Sequence, residues 1–73
     1  MKSFCVTLWN PEKKETILKA FFETEKASKD VFNNYCQRNE FKGMEVKIWH
    51  YCNINSVPVL NNFEWCILEN KTI

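Results

Sequence analysis

The side chains with the means to ligate a metal, attack an electrophile or cross-link are four cysteines and a single histidine. Cys5, Cys36, Cys52 and Cys66 stand 31, 16 and 14 residues apart. No C-x-x-C pair occurs, so neither the zinc-knuckle spacing nor the dithiol redox spacing is present. His50 and Cys52, two apart on a strand, share a face and could approach one metal, but a tetrahedral site would then need Cys5 or Cys66 from a neighbouring strand. As a nucleophile and base the same two side chains sit about 7 Å apart along the strand, beyond direct hydrogen-bond reach. The thiols are therefore read as reduced, semi-buried small hydrophobes, with no metal and no cofactor. Neither a glycine-rich phosphate loop nor a G-x-S-x-G elbow is found. Glu12, Glu15, Glu23 and Glu25 fall near turns and a helix start, where they read as solvated edges and dipole partners. The chain is expected not to be an enzyme.

A second kind of chemistry lies in the aromatic residues, of which there are eleven. Their use depends on the elements that carry them. Residues 3–9 alternate with period two, placing Phe4, Val6 and Leu8 on one side and Cys5, Thr7 and Trp9 on the other. After a polar Asn10–Lys14 turn containing Pro11, residues Thr16–Phe22 form a second strand with Leu18, Ala20 and Phe22 opposed to Ile17, Lys19 and Phe21. Thr24 is placed as the N-cap of a helix starting at Glu25. Its apolar stripe is Ala27, Val31, Tyr35 and Cys36, with Phe32 beside them. That helix is expected to fray beyond Phe41, with Gly43 just past its end. A third strand runs over Met44–Cys52, with Met44, Val46 and Ile48 alternating against Glu45, Lys47, Trp49 and Tyr51. A loop over Asn53–Asn61 then leads to a fourth strand at Asn62–Glu69, whose phase is ambiguous because Trp65, Cys66, Ile67 and Leu68 are apolar in a row. With one glycine and nine asparagines in the chain, asparagine is expected to supply the turn chemistry.

The resulting order, β-β-α-β-β, implies an α+β domain spanning 1–73. A right-handed crossover places the third strand beside the first, giving an antiparallel sheet of order 2-1-3-4 with the helix on one face. Phe4, Val6, Leu8, Leu18, Phe22, Val46 and Ile48 are expected to form the core against Val31, Phe32 and Tyr35. The opposite face then carries Trp9, Ile17, Phe21, Trp49 and Tyr51, with Trp65 joining them and Lys19 and Lys47 among them. One helix cannot cover both sides of a sheet. This aromatic, lysine-rimmed face is the expected partner-binding site, formed by Trp9, Lys19, Phe21, Lys47, Trp49, Tyr51 and Trp65. Two other fates are open to it: coverage by Ile54, Val57, Val59 and Leu60 of the 53–61 loop, or homodimerisation.

The same face admits a single-stranded nucleic-acid reading, since bases stack on sheet aromatics. Lys42-Gly43-Met44-Glu45-Val46 opens like an RNA-recognition signature but lacks its aromatic residues at the third and fifth places. Glu45 also replaces the small residue expected fourth. The net charge is only +1, so bulk attraction to nucleic acid or anionic lipid is not expected. Hydrophobic residues at 45% against 26% charged exclude disorder by composition. No apolar run approaches the ~20 residues of a spanning helix, and the residues after Lys2 form no secretory hydrophobic block. Asn70-Lys71-Thr72 fits a glycosylation sequon, read as incidental without a secretion route. Short, rich in Asn, Lys and aromatics, and ordered hairpin–helix–strand, the chain resembles small accessory proteins of T-even-type bacteriophages. The resemblance implies a cytoplasmic inhibitor or modulator of a host enzyme, defence protein or toxin, and it carries no functional residue across.

Overall fold

Alternation in the first strand dictates the architecture. The computed structural model describes residues 2–53 and 63–73. Of the loop read at 53–61, Asn53 is the last residue of a strand; the rest, and with it the coverage of the aromatic face by Ile54, Val57, Val59 and Leu60, lies outside the described residues. The elements are β1 (Phe4–Asn10), β2 (Glu15–Phe22), α1 (Glu25–Cys36), a 3₁₀ turn (Asn39–Phe41), β3 (Glu45–Asn53) and β4 (Phe63–Thr72). They build a four-stranded sheet of order β2-β1-β3-β4, antiparallel at every pairing, as the alternation and crossover rule anticipate. Val6, Leu8, Val46 and Ile48 are fully buried beneath Phe32 of α1, and Phe22, Val31, Tyr35, Cys36, Phe41, Met44 and Ile73 pack around them.

The local signals act as their chemistry suggests. The Thr24 Oγ1 accepts the Ala27 N–H at 3.2 Å, capping α1, and Glu25 supplies a carboxylate to its first turn. In the hairpin turn, the Asn10 Oδ1 accepts N–H bonds from Glu12 and Lys13, an Asx turn. The left-handed residue of that turn is Lys14, at φ 53°. Asparagine thus works through its side-chain oxygen here, and not by taking the left-handed region itself. Gly43 does take a positive φ, 88°, where glycine carries no steric cost. Its N–H donates to the Ile73 carbonyl, and the Ile73 N–H donates to Met44, pinning the end of the chain against the start of β3.

Four expectations are corrected. First, α1 ends at Cys36 and not near Phe41; a separate 3₁₀ turn follows, whose Phe41 ring meets Tyr35 of α1 edge to face at 5.6 Å. Second, α1 is rotated by about one residue from the expected stripe, so that Ser28 and Phe32 are buried while Ala27 and Val31 are half-buried. Serine is small enough for close approach, and its Oγ donates to the Glu25 carbonyl at 2.6 Å, so no polar atom is stranded. Third, Leu18 lies opposite Leu8 as expected yet is 37% exposed, because it sits on an edge strand of the sheet. Phe4 is also only half-buried and stacks on His50 at 4.9 Å. Fourth, β4 runs on to Thr72. Its ambiguous phase resolves into a bulge opposite Ile48/Trp49 that leaves Leu68 without a register partner.

Candidate binding face

Register alone places the side chains of the second face in rows. One row runs Phe21–Cys5–Trp49–Ile67 across all four strands, and the next runs Lys19–Thr7–Lys47–Asn70. Beyond the lysine row stand Thr16, Trp9, Glu45 and Thr72; beyond the aromatic row stand Tyr51 and Trp65. All seven expected site residues (Trp9, Lys19, Phe21, Lys47, Trp49, Tyr51 and Trp65) therefore share one face. Ile17 is the exception among the apolar residues assigned there. A bulge at Leu8/Trp9 sets Thr16, not Ile17, opposite Trp9, and Thr16 is the residue that lines the groove.

Three contacts turn the face into a groove. The Trp49 indole N–H donates to the Thr7 Oγ1 at 2.9 Å, fixing the ring on the floor. Tyr51 stacks on Trp65, with centroids 4.6 Å apart and planes 29° from parallel. Trp65 in turn lies 5.9 Å from Phe21. That last distance is informative, because β2 and β4 are opposite edges of the sheet, three strand spacings or about 14 Å apart if the sheet were flat. Both outer pairings carry a bulge, and bulges bend strands and increase their twist. The edge aromatics lean inward and meet over the centre. The concavity has a volume of about 560 Å³, within the ~300–1,000 Å³ range of ligand sites.

Cys5 and Thr7, together with Thr16, line this groove and were absent from the expected site. The signal was available: Cys5 and Thr7 share the parity of Trp9, and small residues between large ones leave a depression. Cys5 is only 2% exposed although no helix lies above it. Burial holds its thiol above its ordinary pKa, an effect opposed in part by the Lys19 charge and a hydrogen bond from the Ala20 backbone. A protonated thiol is a poor nucleophile and metal ligand. Cys5 also lies on the face opposite His50, which pairs with Cys66 across β3 and β4, so His50 and Cys5 cannot join in one tetrahedral site. Cys5, Cys36 and Cys66 are free thiols, and among the described residues no cluster of three metal-ligating side chains occurs.

The charges on this face are few. Lys47 pairs with Glu45 at 2.8 Å, and its ammonium lies 5.5 Å over the Trp49 ring. The Lys19 ammonium lies 5.5 Å over the Phe21 ring. Phe21 and Trp65 are exposed, at 43% and 36%, while Trp9, Trp49 and Tyr51 are half-buried by their neighbours. Among the described residues no helix is long and apolar enough to cross a membrane. Comparison with known protein families, with curated proteins and with solved structures finds no match to this chain.

Proposed function

We propose that this domain is a non-catalytic protein-binding module whose sheet face seats a partner, acting as a stoichiometric inhibitor or modulator of a host enzyme, defence protein or toxin. The observation that carries the reading is the Phe21–Trp65 bridge. It presents two exposed aromatic side chains above a floor of half-buried ones, with lysines beside them. Interfaces gain most of their binding energy from a few such anchors in semi-enclosed positions. The partner class comes from the compositional resemblance to T-even-type phage accessory proteins.

The rings themselves favour protein over single-stranded nucleic acid. Base stacking needs open ring faces. Here Lys47 lies over Trp49, Lys19 over Phe21, and Tyr51 on Trp65. Four of the candidate platforms, Phe21, Trp49, Tyr51 and Trp65, already have one occupied face. Homodimerisation through this surface is disfavoured by its charge, since a two-fold contact would bring a lysine-bearing face against its own copy.

The test is affinity capture from a bacterial host lysate, followed by measurement on the purified pair. A single protein retained at one-to-one stoichiometry, whose activity changes on titration with this domain, is the expected result. Trp65→Ala should weaken the purified complex by at least ~2 kcal/mol, while Lys29→Gln on the helix should leave it unchanged. Wild-type affinity in the Trp65→Ala complex would move the site off this face.

A further inference from the structure

We infer that the partner segment seated in the groove carries a carboxylate two residues from an aromatic or large aliphatic side chain, and that Lys19 pairs with that carboxylate. The inference rests on the reading of this face as a protein-docking surface and specifies what docks.

Charge complementarity is the first argument. The residues lining the groove include two lysines and no carboxylate. Among the described residues, the acid that register places on this face is Glu45, which stands in the outermost row and is taken by Lys47 at 2.8 Å. Lys19 forms no ion pair with any described residue. Its ammonium is held over the Phe21 ring, a position on the lip of the groove that leaves its donors toward solvent. The chain as a whole is close to neutral, at +1, so this local excess of positive charge does not reflect a generally basic surface.

Spacing is the second argument. Lys19 and Phe21 are two residues apart on β2, about 7 Å along the strand. The lysine row and the row of Phe21, Cys5 and Trp49 are therefore adjacent, with the same separation as neighbouring side chains on one face of an extended peptide. A large apolar side chain set against exposed Phe21 places a carboxylate two residues away over the lysine row. Of the two lysines there, only Lys19 lacks an acidic partner. The ~560 Å³ available exceeds one aromatic side chain and accommodates such a pair. A nucleic-acid phosphate meets the charge requirement, but its base would have to stack on rings that already carry a neighbour on one face.

Isotope-labelled protein titrated with the capped pentapeptide acetyl-Asp-Ala-Trp-Ala-Asp-amide, which puts its carboxylates and indole on one face when extended, and its neutral counterpart acetyl-Asn-Ala-Trp-Ala-Asn-amide tests this directly. Amide shifts should cluster at Cys5, Thr7, Lys19 and Trp49 for both peptides. The acidic peptide should bind about two- to fivefold more tightly, the worth of an exposed ion pair, and added salt should erase the difference. Lys19→Gln should abolish the preference and Lys19→Arg should keep it; the side chain is exposed, so both variants fold. Equal affinities, a preference that survives Lys19→Gln, shifts centred elsewhere, or binding by neither peptide would overturn the inference. So would an oligo-dT strand that displaces the acidic peptide at lower concentration. If the peptides fail while Trp65→Ala still loses the captured partner, the acidic anchor is wrong and the docking face stands. If Trp65→Ala keeps the partner, the docking face itself falls.

Discussion

The two faces of this sheet are made from alternate residues of the same strands, and they solve different problems. On the helix side, Val6, Leu8, Val46 and Ile48 are aliphatic, carry no side-chain polar atom and are fully buried. On the other side their neighbours Cys5, Thr7, Lys47 and Trp49 mix a thiol, a hydroxyl, an ammonium and an indole. The first face is dry because a second layer covers it. The second is dry only at its centre, where Cys5 is closed over by large side chains reaching in from both sheet edges, and it stays wet at its rim. Burial without a covering layer is what distinguishes a prepared surface from an unfinished core. It also separates the residues that hold the fold from those of the proposed docking face.

The largest effect should come from the helix side. Ile48→Ala removes fully buried volume beneath α1 and should cost ~2–5 kcal/mol, which is enough to unfold much of a domain whose size keeps its stability marginal. Trp49→Phe, one residue along the same strand, keeps a ring in the groove and loses the bond to Thr7. It should cost about 1 kcal/mol. Urea unfolding of the two variants measures the contrast. Equal losses would mean that both faces are core and that the groove is packing rather than a site.

The parts of this molecule that could be read in its sequence are those governed by period-two alternation. Cys5, Thr7 and Trp9 had to oppose Val6 and Leu8, and Lys47, Trp49 and Tyr51 had to oppose Val46 and Ile48, so the composition of each face followed from β1 and β3 alone. Bulges break that arithmetic. The irregularity at Leu8/Trp9 displaced Ile17 from the groove in favour of Thr16, and the one opposite Ile48/Trp49 hid the phase of β4 behind four consecutive apolar residues. Curvature was equally invisible. A flat sheet would hold Phe21 and Trp65 far apart, and only the bent one brings them within 5.9 Å. The rotation of α1 onto Ser28 escaped notice because a serine on a packed face looks polar until its hydroxyl is seen donating to a carbonyl one turn back.

A smaller change sharpens the same contrast from inside the groove. Thr7→Val conserves shape and removes the acceptor of the Trp49 indole N–H. It should cost ~1 kcal/mol, less than any truncation under the helix. The readout is the indole proton itself, whose NMR signal should move upfield and exchange faster with solvent. An unchanged indole signal would mean that something other than Thr7 fixes the ring.

The smallest effect reports on the cover over Cys5. Burial raises the thiols of Cys5 and Cys36 above the ordinary value of 9.0, in each case chiefly by desolvation. The protonated form is therefore favoured by folding. That contribution is intact below the ordinary thiol pKa and is lost as pH rises through the raised one, so the domain should lose a little stability above about pH 9 and none below it through these groups. At pH 8, iodoacetamide labelling resolved by peptide mapping should modify exposed Cys66 first and Cys5 late. Cys36 lies on the helix side, as the last residue of α1, whereas Cys5 is shielded by the edge aromatics. Trp65→Ala should thus speed the labelling of Cys5 several-fold and leave Cys36 at its wild-type rate. Acceleration at both cysteines would indicate general loosening of the fold. No acceleration at Cys5 would show that Trp65 is not part of its cover, and the bridge from β2 to β4 would then have no part in keeping the centre of the face dry.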